Sequence, residues 1–76
     1  MPELTLYTTA GCHLCEEAAA MLEHMQAQDQ CLYVAVDIVE DPALMELYGI
    51  RIPVVRNERQ QEIGWPFTLT ELEQLL

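Results

Sequence analysis

The chain has 76 residues, 51% of them hydrophobic and 21% charged, a balance that argues against disorder and a length that suits one small domain. Thirteen Asp and Glu stand against three Arg and no Lys, for a formal net charge of -10 and a pI near 4.2, which argues against nucleic acid and anionic membrane surfaces as partners. No apolar run approaches the ~20 residues of a bilayer span, and Met1-Pro2-Glu3 lacks the basic stretch of a secretory leader, so a cytoplasmic location is the expectation.

Burial stabilises so short a chain only marginally, so every regular element should pack on one core. Leu4 to Thr8 reads as a buried strand ended by the turn-prone Thr9-Ala10-Gly11. Leu14, Ala18, Met21, Leu22 and Met25 then recur at helical spacing, with Glu16, Glu17, Glu23 and Gln26 elsewhere on the wheel, which predicts an amphipathic helix from about Cys12 to Ala27. The almost continuously apolar run Cys31 to Val36 predicts a central parallel strand covered on both faces.

Asp41 before Pro42 supplies a cap and a first-turn proline, Leu44, Leu47 and Tyr48 an apolar side, and Gly49 a helix end. Pro53-Val54-Val55-Arg56 and Gln61-Glu62-Ile63-Gly64, separated by the polar Asn57-Glu58-Arg59-Gln60, predict an antiparallel hairpin. After Trp65-Pro66, Thr68 and Glu71 have the spacing of a capping box, and Phe67 with Leu72 that of a hydrophobic staple. Leu69, Leu72, Leu75 and Leu76 would make the last helix amphipathic. Trp65 reads as a residue that covers the core before that helix, and Tyr7, Tyr33 and Tyr48 as core or edge residues. The predicted order is βαβαββα, an α/β fold with a four-stranded mixed sheet flanked by three helices, in a single domain spanning 1-76.

Three cysteines, Cys12, Cys15 and Cys31, cannot all pair within the chain, which points to reactive rather than structural thiols. Cys12-His13-Leu14-Cys15 is a CxxC where a strand gives way to a helix. Cys12 therefore falls near the helix start, where unpaired N–H groups and the helix dipole favour an anion. A thiolate, the attacking species in disulfide exchange, is stabilised there, since placement at a helix start can lower a cysteine pKa by a unit or more from about 8.5. Cys15 lies one turn on and nearly on the same face, placed to attack a mixed disulfide formed at Cys12. Glu16 and Glu17 oppose this ionisation, while a protonated His13 would favour it. A tetrahedral zinc site needs two more ligands. His24 falls on the far side of the helix, roughly 13 Å along its axis, and Cys31 at the remote end of the sheet, so neither completes a site within the chain.

With Cys12-His13-Leu14-Cys15 after the first strand, Ile52-Pro53 before the third, and this order of elements, the chain resembles the glutaredoxin-like branch of the thioredoxin superfamily over essentially its whole length. The resemblance implies a cis peptide bond before Pro53, a loop lying beside the cysteines, and an Ile52 backbone offering strand-like hydrogen bonds to a substrate. It also implies Cys12 and Cys15 as the catalytic pair, joined in a redox-active disulfide, with His13, Leu14, Arg51, Ile52, Pro53 and Gly64 around the substrate.

Three features depart from the glutathione-using members. Thr8-Thr9-Ala10-Gly11 precedes the CxxC without a lysine, the spacer is His13-Leu14 rather than Pro-Tyr, and Ile63-Gly64-Trp65-Pro66-Phe67 replaces the Gly-Gly and polar residues that meet glutathione. Arg51 is the best placed cation for that anionic ligand.

The expected function is thiol-disulfide oxidoreduction on protein or small-molecule disulfides, by a monomer with no bound cofactor or metal. A thioredoxin-like electron donor fits the three departures better than glutathione. The competing readings are an iron-sulfur or metal carrier with thiolates from two chains, and a binding domain on the same fold with weak catalysis.

Overall fold

In the computed structural model, which describes residues 1–76, seven elements follow the expected order: β1 (Glu3–Thr8), α1 (His13–Ala27), β2 (Leu32–Asp37), α2 (Pro42–Tyr48), β3 (Val54–Arg56), β4 (Glu62–Gly64) and α3 (Leu69–Glu73). The strands form one sheet in the order β2-β1-β3-β4. β1 runs parallel to β2 and antiparallel to β3, and β3 pairs antiparallel with β4. This is the predicted mixed sheet, with a parallel half and a hairpin half.

Side-chain alternation along β1 divides the core into two layers. Leu4 and Leu6, with Val55 opposite Leu6, join Ala18, Leu22 and Met25 of α1 and Phe67, Leu72 and Leu75 around α3 in one buried cluster. Tyr7 and Val54, paired on the other face, pack with Ile38 and Tyr48 beneath α2. Thus α1 and α3 cover one face and the seven-residue α2 covers part of the other.

The local signals at the helix ends act as anticipated. Asp41 Oδ1 accepts from the N–H groups of Ala43 and Leu44 at 3.0 and 3.3 Å. Thr68 and Glu71 form the reciprocal capping box, and Phe67 and Leu72 are both buried in the same cluster, as a staple requires. Asn57 organises the hairpin turn. Its Oδ1 accepts from the Arg59 and Gln61 N–H groups, while its Nδ2 donates to Gln61 Oε1 and to the Leu75 carbonyl, tying the turn to the chain's end.

Four packing expectations are corrected. β2 is an edge strand and not a central one. Register with β1 turns Tyr33 and Ala35 toward the α1 face and Leu32 and Val34 toward the α2 face. The short α2 does not reach that end of the sheet, so Leu32 and Val34 remain 47% and 45% exposed. The outward Tyr33 N–H is instead bonded by Gln26 Oε1 at 3.0 Å, a side-chain cover for an open edge. On α1 the buried stripe begins at Cys15, followed by Ala18, Leu22 and Met25, while Leu14 faces outward. On α2 only Tyr48 is buried and Leu44 half-buried. Leu47 is exposed because seven residues present a single side to the sheet, and Leu69 at the start of α3 is exposed as well.

Candidate active site

β1 delivers the chain to the CxxC through Gly11, whose φ of +78° lies in the left-handed region that glycine enters without steric cost. Cys12 is then the cap of α1, with extended backbone angles (φ -93°, ψ 105°). Its sulfur stands where a serine or aspartate oxygen usually serves. The Cys15 N–H donates to Cys12 Sγ at 3.2 Å, and the Cys12 carbonyl accepts from the Glu16 N–H at 3.1 Å. Free N–H groups and the positive end of a fifteen-residue helix therefore converge on this sulfur.

Cys12 and Cys15 are joined as a disulfide with Cα atoms 5.2 Å apart, within the usual range for such a bond. Their environments differ. Cys15 is 2% exposed and belongs to the buried stripe of α1, whereas Cys12 is half-buried with a solvent-facing side. Cys31 is a free thiol, fully buried in the larger core cluster, and burial pushes its pKa up. It directly precedes β2, whose Leu32 pairs with Glu3 at the start of β1, while the CxxC follows Thr8 at the other end. It stays apart from the pair, as expected.

His13 projects into solvent, its ring nitrogens each 3.8 Å from a carboxylate oxygen, Nδ1 from Glu16 and Nε2 from Glu17. Leu14 is exposed beside it.

The second loop of the site comes from the antiparallel pairing of β1 with β3. Tyr7 stands opposite Val54, so the residues before Val54 lie at the same end of the sheet as those after Thr8. The Ile52-Pro53 bond there is cis. The Ile52 N–H is already bonded to the Tyr48 carbonyl at 3.1 Å, and the Pro53 carbonyl accepts from the Trp65 N–H at 3.1 Å. Of the backbone groups of Ile52 and Pro53, only the Ile52 carbonyl is left without a partner in the chain. Gly64 ends β4 beside Val54, and a methyl group built on it would meet nothing. Trp65 is partly buried, packed on the core and edge-on to Phe67 at 5.2 Å. Trp65-Pro66 is a second cis bond, which no feature of the sequence had marked.

Arg51 does not stand free. Its Nη2 lies 3.3 Å from Glu62 Oε1, its Nη1 3.4 Å from the Leu47 carbonyl, and its guanidinium carbon 5.3 Å from the centre of the Tyr48 ring. The Tyr48 hydroxyl donates to the other oxygen of Glu62, and its ring stacks on Tyr7 at 4.3 Å. Burial, then the bond to Glu62, pushes the Tyr48 pKa up to about 12. The same hydroxyl, and then Arg51, hold the Glu62 carboxyl below its ordinary value. Reading the sequence alone missed Glu62 and Tyr48. Tyr48 looked like a core residue, Glu62 like a polar strand position, and only the fold brings these residues together across a separation of 14.

The model of the Glutaredoxin-like domain (DUF836) matches residues 3–76. Target protein XcR50 from X. campestris, known from an X-ray structure, is 38% identical with a TM-score of 0.81 over 93% of this chain and 91% of that one. Protein Ne2328 from Nitrosomonas europaea is 27% identical with a TM-score of 0.83, over 99% and 91% of the two chains. Thioredoxin 1 from Thermosipho africanus shares the fold at 12% identity, with a TM-score of 0.70 over 96% and 88%. No curated protein matches the chain. No helix is long and apolar enough to cross a membrane. The chain is therefore a member of the glutaredoxin-like domain family, built on a thioredoxin-like fold with a cysteine pair at disulfide distance.

Proposed function

We propose that the protein is a thiol-disulfide oxidoreductase whose reduced Cys12-Cys15 pair transfers two electrons to a disulfide substrate. The observation that carries this reading is the asymmetry of the pair: Cys12 Sγ is partly open to solvent and held by the Cys15 N–H at the head of α1, and Cys15 is buried directly behind it. In the first step the Cys12 thiolate attacks one substrate sulfur, forming a Cys12-substrate mixed disulfide and expelling the other sulfur as a thiolate. Cys15, losing its proton to solvent, then attacks Cys12 Sγ, which releases the second substrate thiolate and leaves the Cys12-Cys15 disulfide. An external dithiol, a small thiol or a thioredoxin-like protein donor returns the pair to its reduced form. These steps need no bound cofactor or metal and no second copy of the chain.

The Ile52 carbonyl, beside cis-Pro53, is the free backbone acceptor for an extended substrate strand. The exposed Leu14 and the open edge at Gly64 supply contact area around the sulfurs. A protein donor is favoured over glutathione by the absence of lysine and by the engagement of Arg51 with Glu62.

The reading is tested by turnover of hydroxyethyl disulfide with a dithiol reductant. Wild type should exceed Cys12→Ser by about a hundredfold or more, the order of loss when an activated nucleophile is removed. Equal rates at background level would overturn it.

A further inference from the structure

The three arginines of this chain are distributed unevenly with respect to the cysteine pair. Arg59 sits in the hairpin turn, where its Nη2 donates to the Leu75 carbonyl and to Gln61 Oε1. That turn lies at the far end of the sheet, next to Glu3, whose N–H donates to Glu58. Arg56 is part-way down β3, opposite Thr5 and Glu62, and its charge adds to that of Arg51 in holding the Glu62 carboxyl low. Arg51 is the one nearest in the chain to Ile52 and cis-Pro53. A guanidinium in that place would draw anions toward the sulfurs.

Here its charge is compensated within the chain. Glu62 presents one oxygen to Arg51 and the other to the Tyr48 hydroxyl, so the carboxylate is fixed from both sides. The stacking over Tyr48 and the bond to the Leu47 carbonyl hold the guanidinium down on α2. On the opposite side of the site Glu16 and Glu17 flank His13. With the arginine compensated, the exposed Glu16 and Glu17 carboxylates work against the helix dipole around Cys12.

We propose that Glu62 is a specificity-determining residue: by occupying Arg51 it withholds the cation next to the Ile52-Pro53 loop, so that the cysteine pair selects neutral and cationic disulfides over anionic ones. This rests on the redox reading above and adds to it the charge class of the substrate. Glu62 is far from the sulfurs in sequence and exchanges no proton or electron with substrate. It acts through Arg51.

The experiment compares the dithiol-driven reduction of three small disulfides, dithiodipropionate (anionic), hydroxyethyl disulfide (neutral) and cystamine (cationic), by wild type and variants. Wild type should have the largest kcat/KM for cystamine and the smallest for dithiodipropionate. Glu62→Gln should raise the anionic-to-neutral ratio about fivefold, the upper range for one solvent-screened charge, and lower the cationic-to-neutral ratio. Arg51→Gln should move both ratios the opposite way, and the double variant, again without net charge at the pair, should return them close to wild type. Glu58→Gln, which makes the same change in total charge at the far end of the sheet, should leave both ratios in place. Added salt should shrink every difference. Ratios taken within one variant cancel any loss of folded protein. If Glu58→Gln and Glu62→Gln shift the ratios equally, or the double variant fails to restore them, charge selectivity does not reside in Glu62 and the inference is wrong, while the redox reading stands. If wild type reduces none of the three disulfides, the redox reading itself fails and takes this inference with it.

Discussion

The two faces of the sheet are built from different materials. Beneath α1 and α3 the core is aliphatic and closed, with Leu4, Leu6, Leu22, Met25 and Leu72 all fully or almost fully buried. Beneath α2 it is smaller and partly polar, with the Tyr7-Tyr48 stack leading into Glu62 and Arg51, and it leaves Leu32 and Val34 uncovered at the β2 end. Dense apolar packing fixes α1, and with it the orientation of Cys12 and Cys15, whereas the loop carrying Ile52 and Pro53 joins a buried Pro53 to backbone hydrogen bonds on either side and to the Arg51-Glu62 ion pair.

The largest test of this contrast is truncation in the closed layer. Leu22→Ala removes a fully buried side chain between α1 and the sheet and should cost about 2 to 5 kcal/mol in urea unfolding, a large share of the stability of so small a domain. A loss under about 1 kcal/mol would mean that this layer is looser than its burial implies. On the other face, Tyr48→Phe keeps the stack on Tyr7 but removes the donor to Glu62, and a loss of about 1 kcal/mol at neutral pH is expected.

The same face should carry a pH signature of its own from Tyr48 and Glu62. Tyr48 has its pKa raised from 10.0 to about 12, so its contribution is complete below pH 10 and is lost as pH climbs toward about 12. Thermal melts of wild type should fall across that window more than those of Tyr48→Phe. Glu62 has its pKa lowered from 4.5, so its contribution is present above that value and disappears as pH drops below it. The gap in melting temperature between wild type and Glu62→Gln should close accordingly, and a gap constant from neutral pH to well below 4.5 would contradict the placement of this carboxylate. The smallest effect belongs to the uncovered end of β2. Val34→Thr, at a half-exposed edge position, should change stability by less than about 0.5 kcal/mol.

Most of the architecture was legible in the sequence because its signals are local. The Asp41 cap with Pro42, the Thr68-Glu71 box, the Phe67-Leu72 staple and the hairpin around Asn57 each act within a few residues, and each is present. The cysteine pair and Ile52-Pro53 were marked by residue type and position. What escaped depends on which element lies next to which. The run after Cys31 is as apolar as a central strand, yet its place at the edge is set by β1 pairing with β3 on its other side. Leu14 and Leu47 fit an apolar stripe by spacing but fall just outside the arc that faces the sheet. Arg51 was visible as the cation nearest the loop, and its neutralisation was not, because Glu62 reaches it only through the sheet register that places β4 beside β3.

The central claim is that Cys12 attacks and Cys15 resolves. The most direct measurement is to mix reduced Cys15→Ser with a slight excess of hydroxyethyl disulfide and identify the adduct by peptide mass, with wild type in parallel. The account predicts a stable mixed disulfide on Cys12 in the variant, none on the buried Cys31, and in wild type only the intramolecular Cys12-Cys15 bond. An adduct on Cys31 alone, or a wild type that keeps its adduct as long as the variant does, would contradict it.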